Sequence, residues 1–132
     1  MTPQNYSLDN TAPTVTVDVD RAVLNNNFDS TTVTFTFDEP VDGLDYTDIT
    51  VPTSGSLTNL SEASPNDGTV WTATFTANSS VDLSGLQFTV GHGGGVADQF
   101  DNTNIGTGNP YDSFEIDTVA PTVTVSLSSS AI

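Results

Sequence analysis

Asp9-Asn10-Thr11-Ala12-Pro13-Thr14-Val15-Thr16-Val17 recurs as Asp117-Thr118-Val119-Ala120-Pro121-Thr122-Val123-Thr124-Val125, at an offset of 108 residues. Seven of the nine positions are identical, and just upstream Tyr6 and Leu8 correspond to Phe114 and Ile116. Each copy runs from an Asp through a Pro into strict Thr/Val alternation. A period of two places one residue type on each face of a strand. A sequence period of 20 to 50 residues would indicate a solenoid. A spacing of 108 is domain-sized and reads as one repeat in a tandem array. The expected organisation is therefore residues 1–10 as the tail of a preceding repeat and its linker, 11–117 as one sandwich, and 118–132 as the first strand of a following repeat.

The same alternation recurs between the two copies. Val33, Phe35 and Phe37 alternate with Thr32, Thr34 and Thr36, and Trp71, Ala73 and Phe75 alternate with Val70, Thr72, Thr74 and Thr76. Strands are predicted at 14–19, 31–37, 46–51, 56–60, 69–77, 86–91 and 111–117. Asn, Asp, Gly, Ser and Pro fill the gaps, as turns require. No stretch carries a helical period. About seven short antiparallel strands, each with one apolar face, predict an all-β, immunoglobulin-like Greek-key β-sandwich.

The 132 residues include 17 Asp plus Glu against one Arg and no Lys, for a formal net charge of −16. Such a chain has nothing to pair with phosphates, which excludes a nucleic-acid partner acting through counterion release. It is equally unsuited to an anionic membrane surface, and no apolar run approaches the length of a membrane span. Residues 1–5 lack the basic and apolar regions of a signal peptide, so Met1 reads as a start residue on an excised piece, expected to be monomeric. There is no Cys to supply a disulfide. Self-repulsion in so acidic a domain must be offset, and bound cations are the obvious means.

Alternating strand direction sorts the acids between two poles. The leading pole collects Asp9 from the linker, Asp38 and Glu39 after the strand at 31–37, and Asp98 and Asp101 from the long loop before the last strand. The trailing pole collects Asp18, Asp20, Asp82 and Asp117. Carboxylates and amide carbonyls converging from separate segments suit Ca²⁺, which takes six to eight oxygen ligands with loose geometry. Zinc is a poor fit, with no Cys and only His92. The competing reading is a solvated acidic surface that serves solubility.

The ordered set Asp9-x-x-x-Pro13-x-Val15-x-Val17, Val33-x-Phe35-x-Phe37-Asp38-Glu39-x-Val41, Thr72-Ala73-Thr74-Phe75-Thr76 and Asp98-x-x-x-Asn102 resembles bacterial Ig-like repeats. Such repeats form the extender regions of large RTX-type, biofilm-associated adhesins. The resemblance spans about residues 6–125. It implies calcium at the repeat junctions, with Asp9 and Asp117 as linker acids, Glu39 as the acid after its strand, and Asp98 with Asn102 as a loop pair. This chain departs in carrying Asp101 where that loop usually has Gly, and in a long Gly-rich loop from Gly91 to Gly108.

Other signals are weaker. His92-Gly93-Gly94-Gly95 is similar to an oxyanion-hole motif, but the companion Gly-x-Ser-x-Gly elbow is absent. Gly93 to Asp98 is one mismatch from an RTX nonapeptide start, a motif that works only in tandem. The expected role is a non-enzymatic, calcium-stabilised extender repeat of a secreted bacterial surface adhesin, with neighbouring repeats of the same chain as partners. The alternative is a β-sandwich module that binds ice or carbohydrate through its Thr-rich strands or through the long loop before the last strand.

Overall fold

A computed structural model describes residues 6–91, 95–105 and 112–129. Its regular elements are all strands: β1 (Val15–Val19), β2 (Val23–Asn25), β3 (Ser30–Phe37), β4 (Ile49–Thr50), β5 (Gly55–Glu62), β6 (Val70–Ala77), β7 (Asp82–Leu86), β8 (Thr89–Val90) and β9 (Phe114–Asp117). One layer is the antiparallel sheet β1-β3-β6-β5. The other combines β2-β9-β7 with β4-β8. Only Gln87 and Phe88 separate β7 from β8, so the two act as one interrupted strand. Its first half pairs with β9 and its second with β4.

Seven strands were expected, and nine segments form among the described residues. The additional β2 is three residues long and pairs parallel to β9, too short to leave a period in the sequence. Asp82 begins a strand rather than sitting in a loop, because Asp82 and Leu83 extend the pairing with Asp117 and Ile116. The strand expected at 46–51 contracts to Ile49–Thr50, since Asp45 to Asp48 fold into a turn closed by Asp48 N–H to the Asp45 carbonyl at 3.2 Å.

The apolar halves of the alternating strands meet between the layers. Val15, Val17, Val33, Phe35 and Phe75 from the first sheet face Leu24, Phe88, Phe114 and Ile116 from the second, each no more than 2% exposed. Phe88 and Phe114 stack with centroids 5.3 Å apart, and Phe75 meets both edge-on at 5.2 and 5.5 Å. Rings in such arrangements gain about 0.5–1.5 kcal/mol beyond the area they bury. Gly55 lies against this cluster: a Cβ there would come within 2.3 Å of the Phe75 ring. Trp71 is half-buried at the margin of the core and donates Nε1–H to the Gly68 carbonyl at 3.3 Å.

Identical local patterns meet different environments at the two ends of the chain. Val123, Val125 and Leu127 are 83–87% exposed, whereas Val15, Val17 and Val19, 108 residues earlier, are core. Tyr6 and Leu8 are likewise exposed, while Phe114 and Ile116 are buried. Alternation alone therefore does not bury a segment; a facing sheet must be present.

Candidate metal centre

β1 starts and β3 ends at the leading pole, because Val15 pairs with Phe37. Asp38, the first residue past β3, uses both carboxylate oxygens to hold the start of β1: the Thr14 amide donates to Oδ1 at 2.8 Å and the Thr14 hydroxyl to Oδ2 at 2.9 Å. Asp38 is thereby a clasp. Its neighbour Glu39 joins Asp9 and Asp98 in a group whose carboxylate oxygens lie within 4.8 Å of one another.

Asp98 is positioned by a compact loop. Val96 and Asn104 are fully buried anchors on either side, and the backbones of Asp42 and Ala97 exchange hydrogen bonds at 2.9 and 3.2 Å. Between these anchors the chain wraps around the Asp98 side chain. Oδ1 accepts the amides of Phe100 at 2.8 Å and Asn102 at 2.9 Å, and Oδ2 accepts the Asn102 side-chain amide at 2.8 Å. Asp101 adopts a left-handed backbone with φ 63°, a conformation Asp tolerates better than most residues. Its amide donates to the Asp98 carbonyl at 3.2 Å, and its side chain is exposed.

The Asn102 side chain also donates to the backbone carbonyl of Asp9 at 3.1 Å. Both of its partners are oxygens, so the edge facing them must be the NH₂ group. Asn102 is thus a brace between loop and linker, and these bonds engage its NH₂ group and not its carbonyl oxygen. Asp9 itself accepts the Thr11 amide at 2.9 Å, which fixes its carboxylate toward the domain.

The electrostatics follow from crowding. Glu39 has its pKa raised from the ordinary 4.5, first by burial and then by the charges of Asp9, Asp98 and Asp38. Asp98 is buried, which alone would raise its pKa, but the hydrogen bonds from Asn102 and Phe100 outweigh that and hold it below the ordinary 3.8. One carboxylate is therefore committed to its charge while the next resists it. An added hard cation would relieve that conflict, and three carboxylates from separate segments are donors of the kind Ca²⁺ accepts.

The trailing pole forms no comparable trio among the described residues. Asp18 points outward from β1 opposite Thr34, and the Asp20 amide bonds to the Thr32 carbonyl at 3.1 Å. Asp117 lies opposite Asp82 and accepts the Val119 amide at 3.2 Å. Arg21, the chain's one basic residue, stacks its guanidinium 4.4 Å from the Phe28 ring centroid. His92 and the following two glycines lie outside the described residues.

The Thr-rich strands do share a face. Every outward position of β1, β3, β5 and β6 is Ser or Thr except Asp18, Val70 and the bulge residue Asn59. The register is broken between Thr58 and Ser61, and Ser30 and Thr76 bond to each other at 3.2 Å. No aromatic ring stands among these positions.

The residues from the linker to the final strand, 9–113, match the family model of the bacterial Ig-like domain. The chain belongs to that family. No curated protein and no solved structure matches it. The bacterial Ig-like domain is typically a structural unit rather than a catalyst, in keeping with an all-β sandwich whose chemistry-bearing residues sit at its poles.

Proposed function

We propose that this bacterial Ig-like domain is a calcium-stabilised extender repeat of a secreted bacterial surface adhesin, stiffening a tandem array that projects a distal binding domain. One observation carries the reading: an acid of the linker, Asp9, meets Glu39 and Asp98 of the sandwich within 4.8 Å. A cation held by these three would tie the linker to two loops at once, and so fix the angle at which a preceding repeat enters. Asp117 would play the part of Asp9 for the following repeat, and residues 118–132 would supply that repeat's first strand. Binding to the folded state alone would also stabilise each domain by linkage.

Calorimetric titration of this chain with Ca²⁺ tests the reading. Saturable heat that disappears in Glu39→Ala supports it, and the absence of any heat sinks it. The Ser/Thr face leaves a second reading, a module for ice or carbohydrate. The broken register and the lack of an aromatic platform on that face weigh against it.

A further inference from the structure

Asp9 and Asp117 adopt the same local turn, each accepting the amide two residues on, from Thr11 at 2.9 Å and from Val119 at 3.2 Å. The two segments share this bond and seven of nine residues, with Thr118 and Val119 standing where the leading copy has Asn10 and Thr11, so one can be laid on the other. What grips them differs. At the trailing end Thr118 is buried and bound to its own sandwich. Its hydroxyl donates to the Asn78 carbonyl at 2.8 Å and accepts the Val81 amide at 2.9 Å. Its backbone N–H donates to the Val81 carbonyl at 2.7 Å, and its carbonyl accepts the Ser80 amide at 3.3 Å. At the leading end the Asp9 carbonyl is held by Asn102 of the sandwich that follows, and the Pro13 carbonyl accepts the Ile105 amide at 3.4 Å.

Laying Asp117–Val125 of one repeat on Asp9–Val17 of the next joins the two sets of grips. The carbonyl of residue 117 then belongs to the following sandwich, and residue 118 to the preceding one. Adjacent Cα atoms are about 3.8 Å apart. No residue is left between the grips to serve as a hinge, and the two loops that hold them must meet.

We infer that consecutive sandwiches touch directly, with the turn at 78–81 of one repeat against the loop at 98–102 of the next, their spacing set by hydrogen bonds to adjacent linker residues without a cation. This deepens, and rests on, the tandem-repeat reading: calcium reinforces a junction that is already closed. Phe100, 41% exposed on the loop beside the acid group, is the apolar side chain that the neighbouring turn covers.

A tandem protein of residues 1–125 followed directly by residues 18–132 preserves the native junction. Ser79→Cys in the first copy and Phe100→Cys in the second, both exposed positions, are challenged with a short thiol cross-linker in EDTA and in calcium. Ser79→Cys paired with Thr58→Cys on the outer sheet face is the control. Cross-linking in both conditions, none in the control, and its loss in EDTA on adding Thr118→Val are expected. Cross-linking in calcium alone, or in neither condition, overturns the inference. Calcium titration of the same tandem protein keeps the two readings separate. Binding heat without a cross-link leaves the calcium reading standing and removes the contact; a cross-link without heat does the reverse.

Discussion

Asn102 bonds to Asp98 through both its backbone and its side chain, at 2.9 and 2.8 Å, while its side-chain amide also reaches the Asp9 carbonyl. A neutral residue thus assembles two acids that would otherwise repel. It does so by donating to the Asp98 carboxylate and to the backbone carbonyl of Asp9, whose own carboxylate accepts the Thr11 amide.

Asn102→Ala removes that brace. It takes away one bond to the charged Asp98 carboxylate, of a kind that contributes on the order of 1.5–3 kcal/mol, and a weaker one to the neutral Asp9 carbonyl, so a clear loss of stability in urea titration is expected, together with weaker calcium binding. Unchanged stability would show that linker and loop are held together by other contacts.

Calcium should raise the melting temperature and chelation should lower it. At a free cation concentration 100-fold above Kd the gain is about 2.7 kcal/mol. Calorimetric melts in EDTA and in excess Ca²⁺, at matched moderate ionic strength, measure the difference. Coincident melts would refute calcium stabilisation.

Glu39→Ala and Asp67→Ala should part company. Asp67 caps a turn by accepting the Thr69 amide and hydroxyl and is not a member of the acid trio. Its loss is expected to loosen the turn and leave calcium affinity intact. Glu39→Ala should abolish or sharply weaken binding while relieving repulsion in the cation-free protein. Equal losses of affinity would mean that the pole is not a defined site.

The pH dependence of the cation-free protein has two opposed parts. Glu39, with its pKa raised above 4.5, binds its proton more tightly when folded. Its contribution is present below 4.5 and is lost as pH rises through the raised value. Asp98, Asp45 and Asp67 are lowered from 3.8, so their contributions are present above 3.8 and are lost as pH falls through the lowered values. In EDTA, stability should therefore climb on mild acidification and fall at lower pH. Glu39→Gln should remove the climb. Melting temperature across this range, with both proteins side by side, is the measurement.

Phe88→Ala empties the centre of the aromatic cluster with Phe75 and Phe114. A loss of about 3–5 kcal/mol is expected from transfer and cavity terms together, measurable by urea unfolding. A loss under 1 kcal/mol would mean that the two layers close over the space.

Much of the fold is legible in particular residues. Val15, Val17, Val33, Phe35, Ala73 and Phe75 alternate as buried strand faces must, and all are buried. What escapes a reading of periodicity is short or interrupted: β2 has three residues, and the pairing between β7 and β9 shifts between Leu83 and Leu86. At the leading pole, where strand direction places Asp9, Asp38, Glu39, Asp98 and Asp101, the carboxylates that come together are those of Asp9, Glu39 and Asp98. Strand direction does not distinguish their tasks. Asp38 and Glu39 are neighbours in sequence, yet one clasps Thr14 and the other joins the acid trio.

The amino-acid sequence by itself determined the repeat, the strands and the sign of the charge, because these depend on order and composition along one chain. Tertiary structure decided which acids lie within 4.8 Å of one another and which hydrogen bonds each accepts. It also decided that one Thr-Val run is core while its copy stands exposed. Those outcomes depend on distances across the sandwich, where carboxylates tens of residues apart meet or miss by a few ångströms. Coulomb energy and hydrogen bonding are sensitive to that scale, and spacing along the chain does not set it.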